Sequence, residues 1–533
     1  MFNFYMLRSV ARHGAVLQGE NHMITRRHLV RSAVAGAVLS TFAFSTAFAA
    51  DKTLNADIVV VGAGSAGLSA AVQAAEKGAK VVLLEKNFFI GGNSQHAEGL
   101  FAIESEYQRL RSDPMTRAEA FHQVRERHQY ALDPIKARDF IYGSGENIDW
   151  LAKHDIKFRV VRMTPWEEAT WHEIREYKGA IHGAALVKAL KDHADKLGVT
   201  TMIETPAKEL ITNAKGEVVG VKAQSEDDNY TIKAKAVILA SGSFGDNKQL
   251  VKEWAGRDPE KWKSSVPINK TGDGITMAVK AGAERGPVTF IGHLGTEGKG
   301  IDFASALYTT SWQPSALWVN AAGKRFVNED VALSFSQAAN AIYAQYGHQA
   351  WSIWDDTQVK YMVERGVDSG VGVIVPVGMK LTKLPEQIDK ALKVDSDGFK
   401  AATSVRELAK KIGVPAKELQ KQLDAYNAAC KAEHDAIFGK DVKYMRPINT
   451  KKLYAIRLGS YFFSAIGGLN TTREFQVLDV NNKPIKGLYA TGLEVSNMVG
   501  HSYTTWTSGW AFGFACYSGR HAALNAAKAI GLK

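Results

Sequence analysis

The sequence predicts an α/β fold in which parallel strands alternate with helices, and three neighbouring segments carry this prediction. Residues 57–61 form a short, largely β-branched run that ends at a glycine, which is typical of a buried parallel strand. Residues 68–77 have helical composition, and residues 81–84 form a second apolar run. Strand, helix and strand in this order indicate a βαβ unit.

The turn after the first strand has the glycine pattern Gly62-Ala63-Gly64-Ser65-Ala66-Gly67. In such a pattern Gly62 makes the tight turn, Gly64 lets the backbone approach a pyrophosphate, and Gly67 lets the helix pack closely on the strand. The N-terminus of the helix then faces the phosphates. Glu85, at the end of the second strand, can accept hydrogen bonds from ribose hydroxyls. Because strand, helix and acidic residue all accompany the glycines, we predict a Rossmann-type dinucleotide-binding domain.

Later segments favour FAD over NAD as the dinucleotide. Gly91-Gly92-Asn93-Ser94 and Gly99 come soon after the second strand, and glycine-containing segments recur at 236–242, 271–274 and 487–492. Each of these is singly a turn at a strand end. Together they return to the first nucleotide-binding unit from far along the chain, as a long extended cofactor requires. We therefore predict non-covalently bound FAD.

These segments resemble the fumarate reductase and succinate dehydrogenase flavoprotein family, in its soluble flavocytochrome c-like branch, which also includes 3-ketosteroid Δ1-dehydrogenases and urocanate reductases. The resemblance runs from about Leu54 to the C-terminus and includes residues 319–329, VNAAGKRFVNE. It implies an FAD-binding domain over residues 51–290 and 466–533, with an α+β capping domain inserted at 291–465.

The resemblance also assigns residues to the cofactor, one position at a time. Leu493 stands where the family usually has a glutamate, so the assignment of the following Glu494 departs from the pattern. The residues predicted to bind FAD, glycine turns included, are Gly62, Gly64, Ala66, Gly67, Glu85, Gly92, Asn93, Ser94, Gly99, Asp273 and Glu494.

The residues with which the family's dicarboxylate reductases hold and protonate their substrate are replaced. The proton-delivering Arg maps onto Leu333, the clamping His onto Ser464 and the clamping Arg onto Thr505. A carboxylate in a desolvated cleft needs charged partners, which Leu, Ser and Thr cannot supply. Fumarate and succinate are therefore not the expected substrates. The base tyrosine of the ketosteroid dehydrogenases also falls at Leu333.

Three residues remain as candidates for catalysis or substrate binding. Tyr503 lies in a Gly-His-Ser-Tyr segment similar to that of the ketosteroid dehydrogenases, whose tyrosine hydrogen-bonds the substrate carbonyl; the alternative is a buried tyrosine bonded to a neighbouring carbonyl. His293 stands where the family has a clamping histidine, and His501 could support the flavin or donate a proton. Trp506 and Trp510, four positions apart, are predicted either to line the pocket or to pack in a helix core.

Residues 1–49 are predicted to be a targeting segment. An Arg-Arg pair within 25–31 precedes an apolar run at 33–49 that ends in the cleavage signal Ala-Phe-Ala, the pattern of a twin-arginine signal peptide. The alternative is a membrane anchor, but the run is shorter than the roughly 20 apolar residues of a spanning helix. We predict export to the periplasm, cleavage, and translation from Met23.

Length and composition restrict the remaining possibilities. A chain of 533 residues with 45% hydrophobic content suits two globular domains, and no other stretch approaches membrane-spanning length. The net charge is +11, but the sequence has neither an arginine-rich arm nor zinc-finger spacing. Neither nucleic-acid binding nor a metal site is therefore predicted. Two cysteines, Cys430 and Cys516, are too few for a disulfide framework, and no C-x-x-C-H motif attaches haem.

The function predicted is reduction of an activated C=C bond, of the α,β-unsaturated carbonyl or acrylate type, by hydride transfer from flavin N5. A small molecule would be the substrate, and a separate cytochrome c or quinol-linked protein would supply the electrons. One alternative is a ketosteroid dehydrogenase-like CH–CH dehydrogenase that passes electrons to a cytochrome or quinone. Another is a flavin electron-transfer subunit, although a carrier has no need of an inserted lid of about 175 residues.

Overall fold

The computed structural model describes residues 50–111, 115–163, 167–303, 305–372, 374–449 and 451–533. The predicted targeting segment and the predicted start at Met23 lie outside these residues. Across the described ranges, no helix combines the length and apolar character that a bilayer crossing demands.

The strands, in chain order, are β1 (Ala50–Asn55), β2 (Ile58–Val61), β3 (Val81–Leu84), β4 (Gly99–Phe101), β5 (Phe158–Val161), β6 (Trp171–Ile174), β7 (Thr200–Met202), β8 (Ala207–Thr212), β9 (Val218–Gln224), β10 (Asp228–Lys233), β11 (Ala236–Leu239), β12 (Trp262–Ser264), β13 (Arg285–Glu297), β14 (Leu317–Val319), β15 (Ala350–Asp355), β16 (Phe399–Ala402), β17 (Leu453–Leu469), β18 (Gln476–Leu478) and β19 (Pro484–Ala490).

The α-helices are α1 (Ser65–Glu76), α2 (Glu106–Arg109), α3 (Arg117–Arg127), α4 (Pro134–Lys153), α5 (His182–Lys196), α6 (Lys248–Ala255), α7 (Asp273–Lys280), α8 (Ala306–Ser311), α9 (Phe335–Tyr343), α10 (Asp356–Glu364), α11 (Leu384–Lys393), α12 (Val405–Ile412), α13 (Ala416–Ala432) and α14 (Trp510–Ala529). Short 3₁₀ turns occur at Gly92–His96, Glu329–Leu333, Tyr346–His348, Val442–Tyr444, Gly492–Glu494 and Thr505–Thr507.

A central sheet with the strand order β18-β19-β11-β2-β3-β7 carries the nucleotide-binding unit. All neighbours pair in parallel except β18 with β19. Strands β2, β3 and β11 are buried along their whole length, as expected for short Val- and Leu-rich runs covered on both faces. Strand β19 brings the C-terminal part of the chain beside β11, so the sheet is built from both ends of the sequence.

Helices α1 and α14 pack against each other closely because small residues face the contact. A Cβ added at Gly519 in α14 would lie 2.2 Å from the carbonyl oxygen of Ala66 in α1. Arg520 of α14 donates to the side-chain oxygens of Gln73 and Asn147, at 3.3 and 3.1 Å. The last helix of the chain thus forms a wall beside the first glycine turn.

Two smaller sheets flank this unit. Strands β1, β10, β9 and β8 form a four-stranded sheet in which only β1 and β10 pair in parallel. Strands β4, β6 and β5 form an antiparallel three-stranded sheet. The β4 strand begins only a few residues after the second glycine turn, so this small sheet lies close to it.

The long strand β17 organises the remaining sheet, which also contains β12, β13, β14, β15 and β16. The predicted domain limits, 290/291 and 465/466, fall inside β13 and β17, which pair antiparallel with Ile291 opposite Ser464. Residues between these limits form two apolar clusters, one around Trp318 and Trp354 and one on helices α12 and α13. The domain division itself remains a prediction.

Two residues of the family-like segment 319–329 take part in a buried group of charges. Glu329 accepts from Arg325 and Lys440, both at 2.8 Å, and Arg325 also contacts Asp435 at 2.8 Å. Four charged side chains, each no more than 6% exposed, satisfy one another here. This position therefore contributes to structure rather than to the cleft described below.

Candidate active site

A long cleft runs along the carboxyl ends of β2, β3 and β11 and past the N-terminus of α1, with a volume of about 1130 Å³ including its open mouth. This is the edge at which parallel α/β sheets bind ligands. Eight of the predicted cofactor residues line the cleft, namely Gly62, Gly64, Ala66, Glu85, Gly92, Asn93, Ser94 and Asp273.

The glycine turn has the backbone that a bound diphosphate requires. Gly62 has φ +105°, and a Cβ there would lie 2.4 Å from the carbonyl oxygen of Ala240, so only glycine fits. Gly64 is the N-cap of α1 and offers no side chain to the amides of the first turn. Helix N-termini with such amides bind anions.

Two further residues fix the entrance to this helix. Ser94 Oγ accepts from the Ser65 amide at 3.0 Å and donates to Ser65 Oγ at 2.8 Å. The Glu85 carboxylate accepts from the amides of Ala63 at 3.0 Å and Asn87 at 2.9 Å. Burial raises the pKa of Glu85, and these amide hydrogen bonds oppose the rise. The carboxylate is thus held at the end of β3, where a ribose would lie.

Gly67 and Gly99 do not line the cleft, because each supports close packing nearby. A Cβ at Gly67 would lie 1.8 Å from the carbonyl oxygen of Gly62, which is the helix–strand contact predicted for it. A Cβ at Gly99 would lie 2.4 Å from Trp171 Nε1. The structure therefore places Gly99 against the small three-stranded sheet and gives no cleft contact for the FAD role predicted for it.

Glu494 lies behind the cleft wall, and Leu493 lines the cleft at the neighbouring position. Glu494 Oε1 accepts from the backbone amide of Ser241 at 3.1 Å and from its hydroxyl, and Ser241 is itself a lining residue. Burial raises the pKa of Glu494 to about 8. Glu494 Oε2 is buried without a hydrogen-bond partner among the described residues, so this carboxylate can position Ser241 through Oε1 and still accept a hydrogen bond at Oε2.

Two lysines that the sequence reasoning missed also line the cleft. Lys86 pairs with the Asp273 carboxylate at 2.7 Å, and its position directly after Glu85 was the available signal. Lys270, at 6% side-chain exposure, donates to the carbonyl oxygen of Phe463 at 2.9 Å and lies 3.7 Å from the Asp246 carboxylate. Burial lowers the pKa of Lys270 to about 8. No local pattern announces this lysine, because strand β17 is what buries it.

Tyr503 is not itself a lining residue of the cleft, but it contacts one that is. Its phenol oxygen accepts from the backbone amide of Ala511 at 3.2 Å, at the start of α14, and Ala511 lines the cleft. Burial raises the pKa of Tyr503 to about 12, against the effect of hydrogen bonds from the Ala511 and Trp510 backbone. The phenol is therefore protonated at neutral pH. Its partner is an amide rather than the carbonyl of the alternative interpretation.

His293 is enclosed by protein groups. Its Nδ1 bonds to the carbonyl oxygen of Leu294 at 2.7 Å, its Nε2 to Ser265 Oγ at 2.9 Å, and its ring stacks on Phe463 at 4.2 Å between centroids. Burial lowers the pKa of His293 to about 4, so the ring is neutral. With both nitrogens occupied and no place in the cleft lining, His293 has no contact here that supports the substrate-binding role predicted for it.

His501 and the two tryptophans also lie away from the cleft lining. His501 is exposed and borders a separate cavity. Trp506 lies in a 3₁₀ turn, whereas Trp510 begins α14 and donates to the carbonyl oxygen of Met498 at 3.0 Å. The two residues therefore do not share a helix face. Trp510 packs in the core against Phe101 and Phe140, which favours the packing alternative.

Neutral side chains occupy the three positions that replace the dicarboxylate-binding residues, and two of the three are in contact. Thr505 Oγ1 donates to the carbonyl oxygen of Leu333 at 3.3 Å. Ser464 lines the cleft, and its buried hydroxyl has no partner among the described residues. None of the three presents a positive charge to a substrate.

Comparison with known proteins identifies the family. A family model described as "FAD binding domain" matches residues 57–505. This chain belongs to that family. It is similar to a vinyl phenol reductase of Lactiplantibacillus plantarum, with 34% identity over 89% of this chain and 96% of the relative. It is also similar to a urocanate reductase of Eggerthella lenta, with 28% identity over 84% of this chain and 71% of the relative.

Solved structures share the fold. The open conformation of a flavocytochrome c3 fumarate reductase matches with a TM-score of 0.68 and 24% identity, over 90% of this chain and 79% of the other. A 3-ketosteroid Δ1-dehydrogenase from Sterolibacterium denitrificans matches with a TM-score of 0.73 and 19% identity, over 89% of this chain and all (100%) of the other. The predicted α/β fold with its FAD-binding unit is confirmed.

The cleft of this flavoprotein fits FAD. Asn93 Oδ1 and Ser464 Oγ, both in lining residues, are buried without a hydrogen-bond partner among the described residues, and a long polar cofactor would provide partners. Gly62 and Gly64 form the cradle for its pyrophosphate. The predictions of FAD as cofactor and of an oxidoreductase that acts on CH–CH groups are confirmed by the family match and the reductase relatives.

Proposed function

We propose that this flavoprotein reduces a C=C bond conjugated to an oxygen function, such as an α,β-unsaturated carbonyl or an acrylate. The observation that carries this proposal is Tyr503, a neutral phenol bonded to the backbone of Ala511 in the wall of the cofactor cleft. Relatives whose names describe reduction of vinyl phenol, urocanate and acrylate support the choice of a C=C bond.

Tyr503 supplies electrophilic assistance to the substrate. Because its oxygen accepts the Ala511 amide, the phenol proton remains for donation to a substrate oxygen. Charge accumulates on that oxygen as the β-carbon accepts a hydride, and a fixed donor in a water-poor site stabilises it. The start of α14 lies beside the same point, and a helix N-terminus favours negative charge.

FAD, when bound, supplies the hydride from N5 of its reduced form. The protein's part is to place the substrate against that end of the cleft and to keep water out. The uncharged groups of Ser464, Thr505 and Leu333 suit an uncharged substrate oxygen better than a second carboxylate. Fumarate is accordingly a poor substrate in this proposal.

A phenol can replace the carbonyl in this scheme, which makes a vinyl phenol the second candidate substrate. Protonation of the terminal carbon of a 4-vinylphenol, with loss of the phenolic proton, gives a quinone methide. Its oxygen is conjugated to the benzylic carbon that then accepts hydride, just as an enone oxygen is conjugated to its β-carbon. Similarity to the vinyl phenol reductase, over 96% of that protein, favours this candidate.

The finer parts of the assignment belong to the same proposal. The signal-like residues 1–49 support export to the periplasm through the twin-arginine route. A separate cytochrome c or quinol-linked protein would reduce the flavin, since the chain has no haem-attachment motif. Residues 291–465 would form the cap over the substrate, attached through the paired strands β13 and β17.

The test uses the purified holoenzyme, reduced with dithionite under argon, and follows flavin reoxidation by visible absorbance. But-3-en-2-one, acrylate, 4-vinylphenol and fumarate are the substrates. We expect Tyr503→Phe to lower kcat/KM for the best substrate by about 100-fold, because one transition-state donor is lost. Bound FAD should stay at the wild-type level. Tyr346→Phe, at a residue that is 90% exposed, is the matched control.

Two outcomes would contradict the proposal. Reoxidation by fumarate at a rate comparable to that of the best enone would show that the neutral residues do not exclude dicarboxylates. Reoxidation by a cytochrome but by no small molecule would favour the electron-transfer subunit.

A further inference from the structure

A second cavity, of about 1000 Å³ including its open mouth, lies next to the cofactor cleft. Its walls come from residues 130–133, 287–289 and 497–501, together with Ile466. This volume is within the range of small-molecule binding sites. The cofactor cleft and this cavity have no lining residue in common.

The strand pair β13 and β17 places the cavity beyond the far end of the cleft. Ile291 faces Ser464 and Thr289 faces Ile466 in register, so these two cross-strand pairs point to the same side of the sheet. The first pair lines the cleft, and the second lines the cavity. Two residues along a strand span about 7 Å, so the cavity begins about 7 Å, roughly the width of an aromatic ring, beyond the pair that lines the cleft.

The end of the cleft that the cavity adjoins is the flavin end. In dinucleotide-binding folds the acidic residue at the end of the second strand, here Glu85, bonds to the ribose of the adenosine. The pyrophosphate lies at the N-terminus of the first helix, here α1. Ile291, Ser464 and Ala511, which also line the cleft, would then hold the remainder of an extended FAD. A substrate that reacts at the flavin therefore has this cavity directly beside it.

Hydrogen bonds hold the walls of the cavity in place. The Asp133 amide donates to the carbonyl oxygen of Asn497 at 2.7 Å. The Gly500 amide donates to His128 Nδ1 at 3.1 Å, and His128 is buried. Thr289 Oγ1 donates to the carbonyl oxygen of His501 at 3.1 Å. The cavity is thus preformed rather than a gap between loose loops.

The lining presents polar and apolar groups in about equal measure. Leu132, Ile466, Met498 and Val499 are all buried and apolar. The Asp133 carboxylate is already committed to the amides of the first turn of α4 and to an ion pair. Exposed His501 and Tyr130 border the opening. Such a site suits an aromatic ring that carries a hydroxyl at its outer edge.

We propose that this cavity binds the aryl group attached to the reacting C=C bond, so that the enzyme is selective for aryl-conjugated alkenes. For an aryl enone whose carbonyl is assisted by Tyr503, His501 then acts as a hydrogen-bond partner for a ring hydroxyl at the mouth and has no part in the chemistry. The inference rests on the proposed function for the position of the reacting bond.

The experiment measures selectivity with two ketones that differ only in the ring. Holoenzyme reduced by dithionite is reoxidised by 4-phenylbut-3-en-2-one or but-3-en-2-one, and the ratio of their kcat/KM values is determined. Thr289→Phe fills the cavity from the strand face, and Val480→Phe, at a residue that is 70% exposed and outside the lining, is the matched control. We expect Thr289→Phe to lower the ratio at least tenfold and Val480→Phe less than twofold.

A second measurement requires no turnover. Oxidised holoenzyme is titrated with the saturated ketone 4-phenylbutan-2-one while flavin absorbance is followed, and Thr289→Phe should raise its Kd at least tenfold. Should Thr289→Phe fail to bind FAD, Val499→Ala replaces it, with an expected threefold rise in Kd. An unchanged Kd and an unchanged selectivity ratio in these variants would overturn the proposal.

The two proposals fail separately. If the enones reoxidise the flavin but Thr289→Phe leaves selectivity unchanged, C=C reduction stands and the aryl cavity is refuted. If 4-phenylbutan-2-one binds in a Thr289-dependent way but no enone, acrylate or 4-vinylphenol reoxidises the flavin, the cavity stands and the reductase function is refuted.

Discussion

Alanine substitutions at two glycines of the same turn should have opposite effects, because one glycine faces the ligand and the other faces the protein. A Cβ at Gly67 would lie 1.8 Å from the backbone oxygen of Gly62. A Cβ at Gly64 would lie 3.7 Å from Ser94 Oγ, an ordinary contact, at a φ of −75° that alanine adopts freely. Gly64→Ala therefore fits the apoprotein, and Gly67→Ala does not.

The expected magnitudes follow from these contacts. The Gly67 Cβ must move more than about 1 Å against backbone, and overpacking of this kind costs about 3 kcal/mol of stability. Gly64→Ala lowers the entropy of the unfolded chain, which stabilises the fold, but alanine is a poorer N-cap than glycine, which destabilises it. Because these effects oppose each other, the free energy of unfolding should change by less than about 1 kcal/mol. Its methyl group occupies space that a pyrophosphate approaches, and a cost of about 1–3 kcal/mol there raises the Kd for FAD about 5- to 150-fold.

The assay has two parts, urea unfolding of the apoprotein and titration of the apoprotein with FAD by quenching of flavin fluorescence. Wild-type FAD affinity in Gly64→Ala would refute the placement of the pyrophosphate at this turn. Equal losses of apoprotein stability in the two variants would refute the distinction between a ligand-facing and a protein-facing glycine.

Three other variants test buried charges. Burial raises the pKa of Glu494 in the folded state to about 8, above its unfolded value. Its contribution to stability is therefore complete below about pH 4.5 and falls by up to about 1.4 kcal/mol per pH unit as the pH rises towards 8. Glu494→Gln should remove this decline in urea unfolding measured from pH 5 to 8.5. Glu329→Gln leaves Arg325 and Lys440 without their shared carboxylate and should cost about 3–5 kcal/mol in the same measurement, so a loss below 1 kcal/mol would contradict the buried network. Lys270→Met removes a buried positive charge from the cleft and should lower the reduction potential of bound FAD by about 30 mV, or about 1.4 kcal/mol, in a dye-coupled redox titration; an unchanged potential would mean that the charge does not reach the flavin.

The fold was predictable where local pattern and burial coincide. The predicted strand 81–84 is observed unchanged, and the predicted strand 57–61 is observed as Ile58–Val61. The predicted helix 68–77 begins earlier, at Ser65, because the last residues of the glycine turn already form the first helical turn. Glycine and serine are typical of turns, but a helix N-terminus that binds an anion also needs small residues at those positions.

The site was predictable only in part, because the fate of a polar side chain depends on residues distant in sequence. Glu85 and Ser94 could be placed from their spacing to the glycine turn. His293 could not, because Ser265 and Phe463 enclose it from two other segments. Lys270 likewise becomes a buried cation only when β17 passes over it. Such desolvation leaves no mark on the local sequence.

The contact between α1 and α14 has a consequence for biosynthesis. Arg520 and Gln73, which are 447 positions apart, are joined by a hydrogen bond, and the last helix supplies one wall of the cleft. A nascent chain from which α14 has not yet emerged has the glycine turn but lacks that wall. Flavin loading must therefore follow the emergence of α14, and a polypeptide terminated before α14 should be a colourless product.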